Sequence, residues 1–283
     1  MPYQENAGLK ITTRIMIFIV VTSLVITLGR PANLQVQASP GPAPVAPDAT
    51  QAVYVPIIWR LFPYPGFNSQ FTSEATGWQV HSGSWAIIDG TYKTDGLGKP
   101  ELENGSSASY MATFYNLDYQ VRMRRSWYEA LAKEANRIMV RGTPDPLGLS
   151  NLWYSSYEFQ YTMSGMYSVF KRVGDTLTAL QDWADSPAVI QGYNWNILRV
   201  VAVGPDLYFY INGTLVWHGQ DIDLAMGRVG FGLFNKGPLE IDWATLSPIN
   251  SLAGYNTELS PEQQALNQAA NQAGVGQDPD RSP

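Results

Sequence analysis

Between Phe67 and Ile249 greasy and polar residues alternate with a period of two, in short runs separated by turn residues. In "LDYQVRMRR", Leu117, Tyr119, Val121 and Met123 share one side, while Asp118, Gln120, Arg122 and Arg124 share the other. "LWYSSYEFQYT" repeats the pattern, with Trp153, Tyr157, Phe159 and Tyr161 set against Tyr154, Ser156, Glu158 and Gln160. Successive side chains of a strand point to opposite faces, so each run has one face for a core and one for water. That demands antiparallel sheets stacked as a sandwich. Asp89-Gly90 in "SWAIIDGTYKT" and Asn212-Gly213 in "DLYFYINGTLVWHG" supply the positive φ angles of tight hairpin turns. The expected fold is an all-β antiparallel sandwich over 67–249. The one helical interruption expected inside it is "YEALAKEA", Tyr128 to Ala135.

The flanks read differently. Lys10 and Arg14 precede the apolar run "IMIFIVVTSLVITLG", Ile15 to Gly29, followed by small residues at Val36 to Ala38. Residues 1–38 are therefore read as a signal peptide or an uncleaved membrane anchor, and the rest of the chain as extracytoplasmic, secreted or held at the membrane by that segment alone. Residues 39–66 begin with a Pro/Ala spacer, "PGPAPVAP", and continue into "VYVPIIWRLF", which Pro56 limits to an edge strand or an extended docking segment. In 250–283, Ser260 as N-cap, Pro261 at the first helical position and Gln263 as the partner of a capping box mark a short helix before a polar tail. Its apolar face is mostly alanine.

Composition excludes several functions. There is no cysteine, which removes disulfides, thiolate zinc sites and thiol catalysis. A formal charge of -6 gives no electrostatic reason to seek nucleic acid. His81 and His218 lack ligand-spaced partners, and no nucleophile elbow or phosphate loop occurs. No cofactor is expected, calcium at Asp221-x-Asp223 being the one candidate, short of a full ligand set.

Several stretches come in an order that resembles a known group: Gly77-Trp78, "DGTY" at Asp89 to Tyr92, "YSVFKR" at Tyr167 to Arg172, "LQDWADSPAV" at Leu180 to Val189, "NILRVVAVGPDLYFYINGTLV", and "GRVGF" at Gly227 to Phe231. They resemble the concanavalin A-like lectin/glucanase superfamily, and within it the laminin-G-like and 3-keto-disaccharide hydrolase-type jelly rolls of exported bacterial proteins. That resemblance implies a jelly roll and a sugar-related role, but not whether the module cleaves or only binds. Glucanases of the superfamily resemble E-x-D-x-x-E. Here "EIDWAT", from Glu240, has Thr245 where the second catalytic glutamate would stand, so an ordinary closing strand is expected.

The candidate ligand-binding residues are Arg122, Arg141, Tyr154, Glu158, Gln160 and Trp183. If their strands are neighbours, Arg122, Arg141, Glu158 and Gln160, joined by Arg124 and Arg137, form a charged patch whose groups hydrogen-bond sugar hydroxyls while Tyr154 stacks on a ring. The same residues also suit a cross-strand ion-pair ladder. Trp183 suits a sugar platform or a plug over the end of the sandwich. Tyr208 and Tyr210, on the second face of their hairpin, are expected to be covered by "VYVPIIWRLF" or by the C-terminal helix. The expected function is non-catalytic binding of carbohydrate or another cell-envelope partner. A glycoside hydrolase of the 3-keto-glycoside type and an assembly subunit that docks protein are the alternatives.

Overall fold

The computed structural model describes residues 65–94, 105–126, 134–234 and 237–273. The N-terminal segment, most of the spacer, most of "YEALAKEA" and the end of the tail lie outside the described residues. Among those described are fifteen strands and one α-helix. The first eight strands are β1 (Phe67–Ser69), β2 (Trp78–Ser82), β3 (Trp85–Ile88), β4 (Thr91–Thr94), β5 (Ser106–Tyr110), β6 (Leu117–Arg125), β7 (Asn136–Leu147) and β8 (Trp153–Tyr161). There follow β9 (Met166–Val173), β10 (Thr176–Asp185), β11 (Asn196–Val203), β12 (Asp206–Ile211), β13 (Thr214–Gln220), β14 (Arg228–Leu233), β15 (Leu239–Pro248) and helix α1 (Pro261–Ala273).

Two antiparallel sheets form. One runs β13-β12-β11-β6-β15-β4-β3, with β1 added on β15; the other runs β10-β9-β8-β7-β14-β5-β2. Both glycine-containing turns form as their residue types require: Asp89 and Gly90 have φ of 52° and 72°, and Asn212 and Gly213 have φ of 50° and 82°. The alternation of β6 becomes strict alternation of burial. Tyr119, Phe159 and Phe209 are fully buried, and the rings of Phe159 and Phe209 meet across the two sheets at 5.2 Å between centroids. The jelly-roll sandwich is therefore built by the period-two pattern itself.

Three expectations about faces are corrected. Trp153 does not join Tyr157 and Phe159 inside. The pairing of β7 with β8 slips twice, between Val140 and Thr143 and between Thr143 and Leu147, and Trp153 turns to the outer face, where its Nε1 donates to Ser107 Oγ at 3.0 Å. The outer faces of Glu158 and Gln160 are not wet either; both residues are buried. Tyr208 and Tyr210 are covered, but among the described residues by the extended segment between β15 and α1, through Ile249, Leu252, Tyr255 and Leu259, rather than by the helix; "VYVPIIWRLF" lies outside the described residues.

Helix α1 also departs from its expected docking. The Ser260 side chain caps it, accepting from the Gln263 backbone N–H at 3.2 Å. The Gln263 side chain does not return to close a capping box; its Oε1 instead accepts from Ser186 Oγ at 2.8 Å. The buried positions are Gln263 and Asn267 rather than alanine, Ala265 and Ala269 being exposed, and the exposed Asn271 continues the same polar side. Gln263, Asn267 and Asn271, four residues apart, reach Ser186 and Gln181 on or beside β10, and the Val216 carbonyl on β13. The helix thus bridges the two edge strands, each of which otherwise leaves unpaired backbone groups open to association.

Candidate binding face

The outer face of the β10-β9-β8-β7 layer carries the candidate site. Register sets it out in transverse rows: Arg137 opposite Gln160 and Gln160 opposite Ser168, then Met139, Glu158 and Phe170 in the next row. Trp183 follows on β10, where an irregularity between Gln181 and Ala184 turns it out beside Phe170, the rings 6.4 Å apart. At the centre is Glu158, only 2% exposed. Arg137 Nη1 donates to its Oε2 at 2.7 Å, Gln160 Nε2 to the same oxygen at 2.9 Å, and Arg172 Nε to Oε1 at 2.8 Å. The Arg137 guanidinium lies 5.5 Å from the Phe234 ring centroid, within reach of a cation–π contact.

Burial alone would push the Glu158 carboxyl up, but the charges and hydrogen bonds of Arg172 and Arg137 outweigh it and hold the group below the usual carboxylate range. The carboxylate is therefore ionised at neutral pH with both oxygens engaged. It anchors two arginines and is not poised to give or take a proton. Glu240, on the other sheet, and Asp221 are held low in the same manner by hydrogen bonds from cations.

A pH dependence follows. A carboxyl whose pKa is lower folded than unfolded binds its proton more readily in the unfolded chain. Its contribution is complete above the unfolded value, about 4.3 for Glu, and is lost as pH falls through the lower folded value. Thermal unfolding should show a midpoint that is flat from pH 8 to 5 and drops steeply below about pH 4. Glu158→Gln should start from a lower midpoint and show a shallower acid drop. An equally steep drop in the variant would remove Glu158 as a contributor.

Two hollows flank Glu158. One, with about 250 Å³ of empty space counting the part open to solvent, is lined by Arg137, Glu158, Gln160, Arg172 and Phe234 among others. The other, about 230 Å³, lies across Leu152 and reaches Ser107 and Trp153. Most of that space is open to solvent, and the enclosed part of each is on the scale of a water molecule, so each suits a single polar group, such as a carboxylate, rather than a whole ring. Glu158 is the one carboxylate lining either hollow among the described residues.

The structure divides the six sequence candidates. Glu158, Gln160 and Trp183 share this face. Arg122 does not join them, because β6 lies in the opposite sheet. There Arg122 pairs with Asp242, and its guanidinium lies 4.7 Å from the Trp195 ring centroid. With Lys93, Arg124 and Glu240 it forms an ion-pair ladder on that sheet. This ladder also absorbs "EID", since Glu240 lies between Lys93 and Arg124. Arg141 is buried where β7 bulges, at φ 52°, and donates to the carbonyls of Tyr115 and Leu224. Tyr154, 48% exposed, sits at the start of β8 against Gly174. Asp221 and Asp223 both pair with Lys171, so a cation already lies between their carboxylates.

Sequence reasoning missed Arg172, Phe170, Ser168 and Phe234. The first three were legible, since inward Tyr167 and Val169 put 168, 170 and 172 outward by period two; Phe234 follows a strand and carries no such signal. His81, expected to stand alone, has partners: Nε2 lies 2.7 Å from Ser109 Oγ and Nδ1 3.4 Å from Asp145 Oδ1. That is the connectivity of nucleophile, base and orienting acid, but Ser109 is fully buried, which closes its hydroxyl to a substrate. Burial lowers the His81 pKa, Asp145 opposes the shift and Arg228 adds to it.

The family described as the 3-keto-alpha-glucoside-1,2-lyase-like domain matches residues 66–245. The chain belongs to that family. No curated protein matches it. Among solved structures, a Bacillus subtilis protein of unknown function with a galectin-like fold is similar at 11% identity and a TM-score of 0.51, over 65% of this chain and 96% of that one. The Bacillus subtilis carbohydrate-binding module CBM66 is 19% identical at a TM-score of 0.45, over 62% and 93%, and a Bacillus licheniformis beta-glucanase is 11% identical at 0.46, over 65% and 98%. At such identities the likeness is one of fold. The family and its architecture are of the kind found in carbohydrate-binding and glycoside-cleaving proteins.

Proposed function

We propose that the protein is an exported, lectin-like module that binds carbohydrate on the outer face of β7–β10 without cleaving it. The observation that carries this reading is the state of Glu158. Glycoside hydrolysis needs two carboxyl groups flanking the bond, roughly 5–9.5 Å apart depending on mechanism. The hollows offer one among the described residues, and it is locked between arginines. What surrounds it suits recognition: guanidinium donors, an indole and two phenylalanine rings. Export rests on the charged and apolar pattern of the first 38 residues.

The family description favours a second reading, elimination from a 3-keto-glucoside. There the hydrogen on carbon 2 is acidified by the neighbouring ketone, and a single base suffices. Glu158 would have to release an arginine to serve.

The two readings separate in one experiment on the full chain, with glycan binding and turnover of a 3-keto-glucoside measured side by side. The expected result is binding of at least one glycan, no turnover, and binding weakened about tenfold or more in Glu158→Gln as the arginines lose their anchor. Turnover in the wild type that vanishes in Glu158→Gln while binding persists would establish the enzyme instead.

A further inference from the structure

We infer that the hollow beside Glu158 takes an acidic sugar, whose carboxylate accepts a hydrogen bond from Arg137 Nη2. The inference rests on the carbohydrate reading above and names the class of sugar.

Seven buried side-chain polar atoms among the described residues have no hydrogen-bond partner, and four of them lie on this one face: Arg137 Nη2, Ser156 Oγ, Ser168 Oγ and Trp183 Nε1. Leaving such a group unpaired is costly, and folded proteins hold few of them. Their chemistry has one sense. A guanidinium and an indole N–H can only donate, and the two hydroxyls can donate as well as accept. The strong acceptor at the site, Glu158, has both oxygens occupied by Arg137, Gln160 and Arg172. Neutral sugar hydroxyls call for acceptors as much as donors. A carboxylate calls for donors alone, and donors are what this face has to spare.

Charge and placement agree. Arg137 and Arg172 against Glu158 leave one positive charge unbalanced among the residues lining the hollow, in a chain whose formal charge is -6. The bond from Nη1 to Glu158 and the Phe234 ring fix the plane of the Arg137 guanidinium, so Nη2 is oriented before any ligand arrives. Arg137, Gln160 and Ser168 form one transverse row, and Trp183 stands on the next strand. Of the four, Arg137 alone lines the hollow; the two hydroxyls and the indole N–H lie buried beside it, on strands about 4.8 Å apart, so the part of the sugar that the hollow receives is its carboxylate.

The test is calorimetric titration of the full chain with paired oligosaccharides: trimers of galacturonate, glucuronate and mannuronate, each beside its carboxyl-reduced neutral counterpart. At least one acidic trimer should bind about tenfold or more tightly than its neutral form, with affinity falling as salt is raised. Arg137→Gln should erase that preference. Because this change also disturbs Glu158, Arg137→Lys serves beside it; it keeps the positive charge facing Glu158 but removes Nη2, and should weaken acidic binding with the melting temperature nearer to wild type than that of Arg137→Gln. A preference that survives both substitutions would overturn the assignment to this hollow. Neutral trimers bound as tightly as acidic ones would overturn the acidic-sugar inference and leave the carbohydrate reading standing. No binding by any member, acidic or neutral, would bring down the carbohydrate reading itself.

Discussion

Glu158→Ala should destabilise the protein by about 3–5 kcal/mol, the range for breaking a buried ion pair from one side. The cost comes less from lost attraction than from what remains. Arg137 and Arg172 keep their charges, and Arg137 is itself buried with one nitrogen already unpartnered. Gln160 loses the acceptor of its amide. For a domain of this size the melting temperature should fall by roughly 6–20 °C. Two companions separate the causes. Glu158→Gln, which keeps the shape and one acceptor oxygen, should fall between wild type and alanine. Replacing Arg137, Glu158 and Arg172 together by Met, Leu and Met should recover most of the loss, because apolar substitutes for a whole buried charge cluster are often neutral or better. Equilibrium unfolding in denaturant measures all three. An alanine variant within about 1 kcal/mol of wild type would mean that the arginines find water or other partners, and that Glu158 is not the hub of this face.

The parts of this fold legible in the sequence were those governed by local rules. Period-two alternation assigned Tyr119, Phe159 and Phe209 to the interior, and all three are fully buried. Asp89-Gly90 and Asn212-Gly213 marked hairpins because few residues tolerate positive φ. What was not legible depends on which strands become neighbours. Arg122 and Glu158 looked equivalent, each a charged residue on the second face of a clear strand. Only the topology puts β6 in one sheet and β8 in the other. Nor could alternation foresee that the second face of β8 would be covered, since the covering comes from bulges that turn Trp153 outward and from Phe234 at the end of another strand. The helix shows the same limit. Alanine marked its apolar side, but the sandwich edge it meets offers a backbone carbonyl and polar side chains, so Gln263 and Asn267 turn inward instead and the exposed Asn271 bonds Gln181 at the rim.

Trp153→Ala is expected to cost about 3–5 kcal/mol, at the upper end for core aromatics, although the residue belongs to the outer face. Its indole fills a slot prepared by glycine. A Cβ added at Gly142 would stand 2.3 Å from the ring, and one at Gly230 would stand 2.7 Å from it. Without the indole, a void opens beside the hollow that Trp153 shares with Arg137 and Glu158, and Ser107 Oγ loses its donor. Gly142→Ala should destabilise by about 1–3 kcal/mol for the converse reason, overpacking. The two changes should not add. With the indole gone the new methyl meets mainly the Ser155 carbonyl, 3.1 Å away, so Trp153→Ala/Gly142→Ala should be more stable than the sum of the single losses predicts. Gly230 provides the contrast. Its added Cβ would also stand 2.3 Å from the Ala108 carbonyl oxygen, a backbone atom the indole does not control. Gly230→Ala should therefore stay costly in either background. Denaturant unfolding of the two double-mutant cycles reads this directly: coupling at Gly142 with little at Gly230 places the indole in its glycine slot, whereas additivity at both positions would mean that Trp153 packs elsewhere and does not wall the hollow at all.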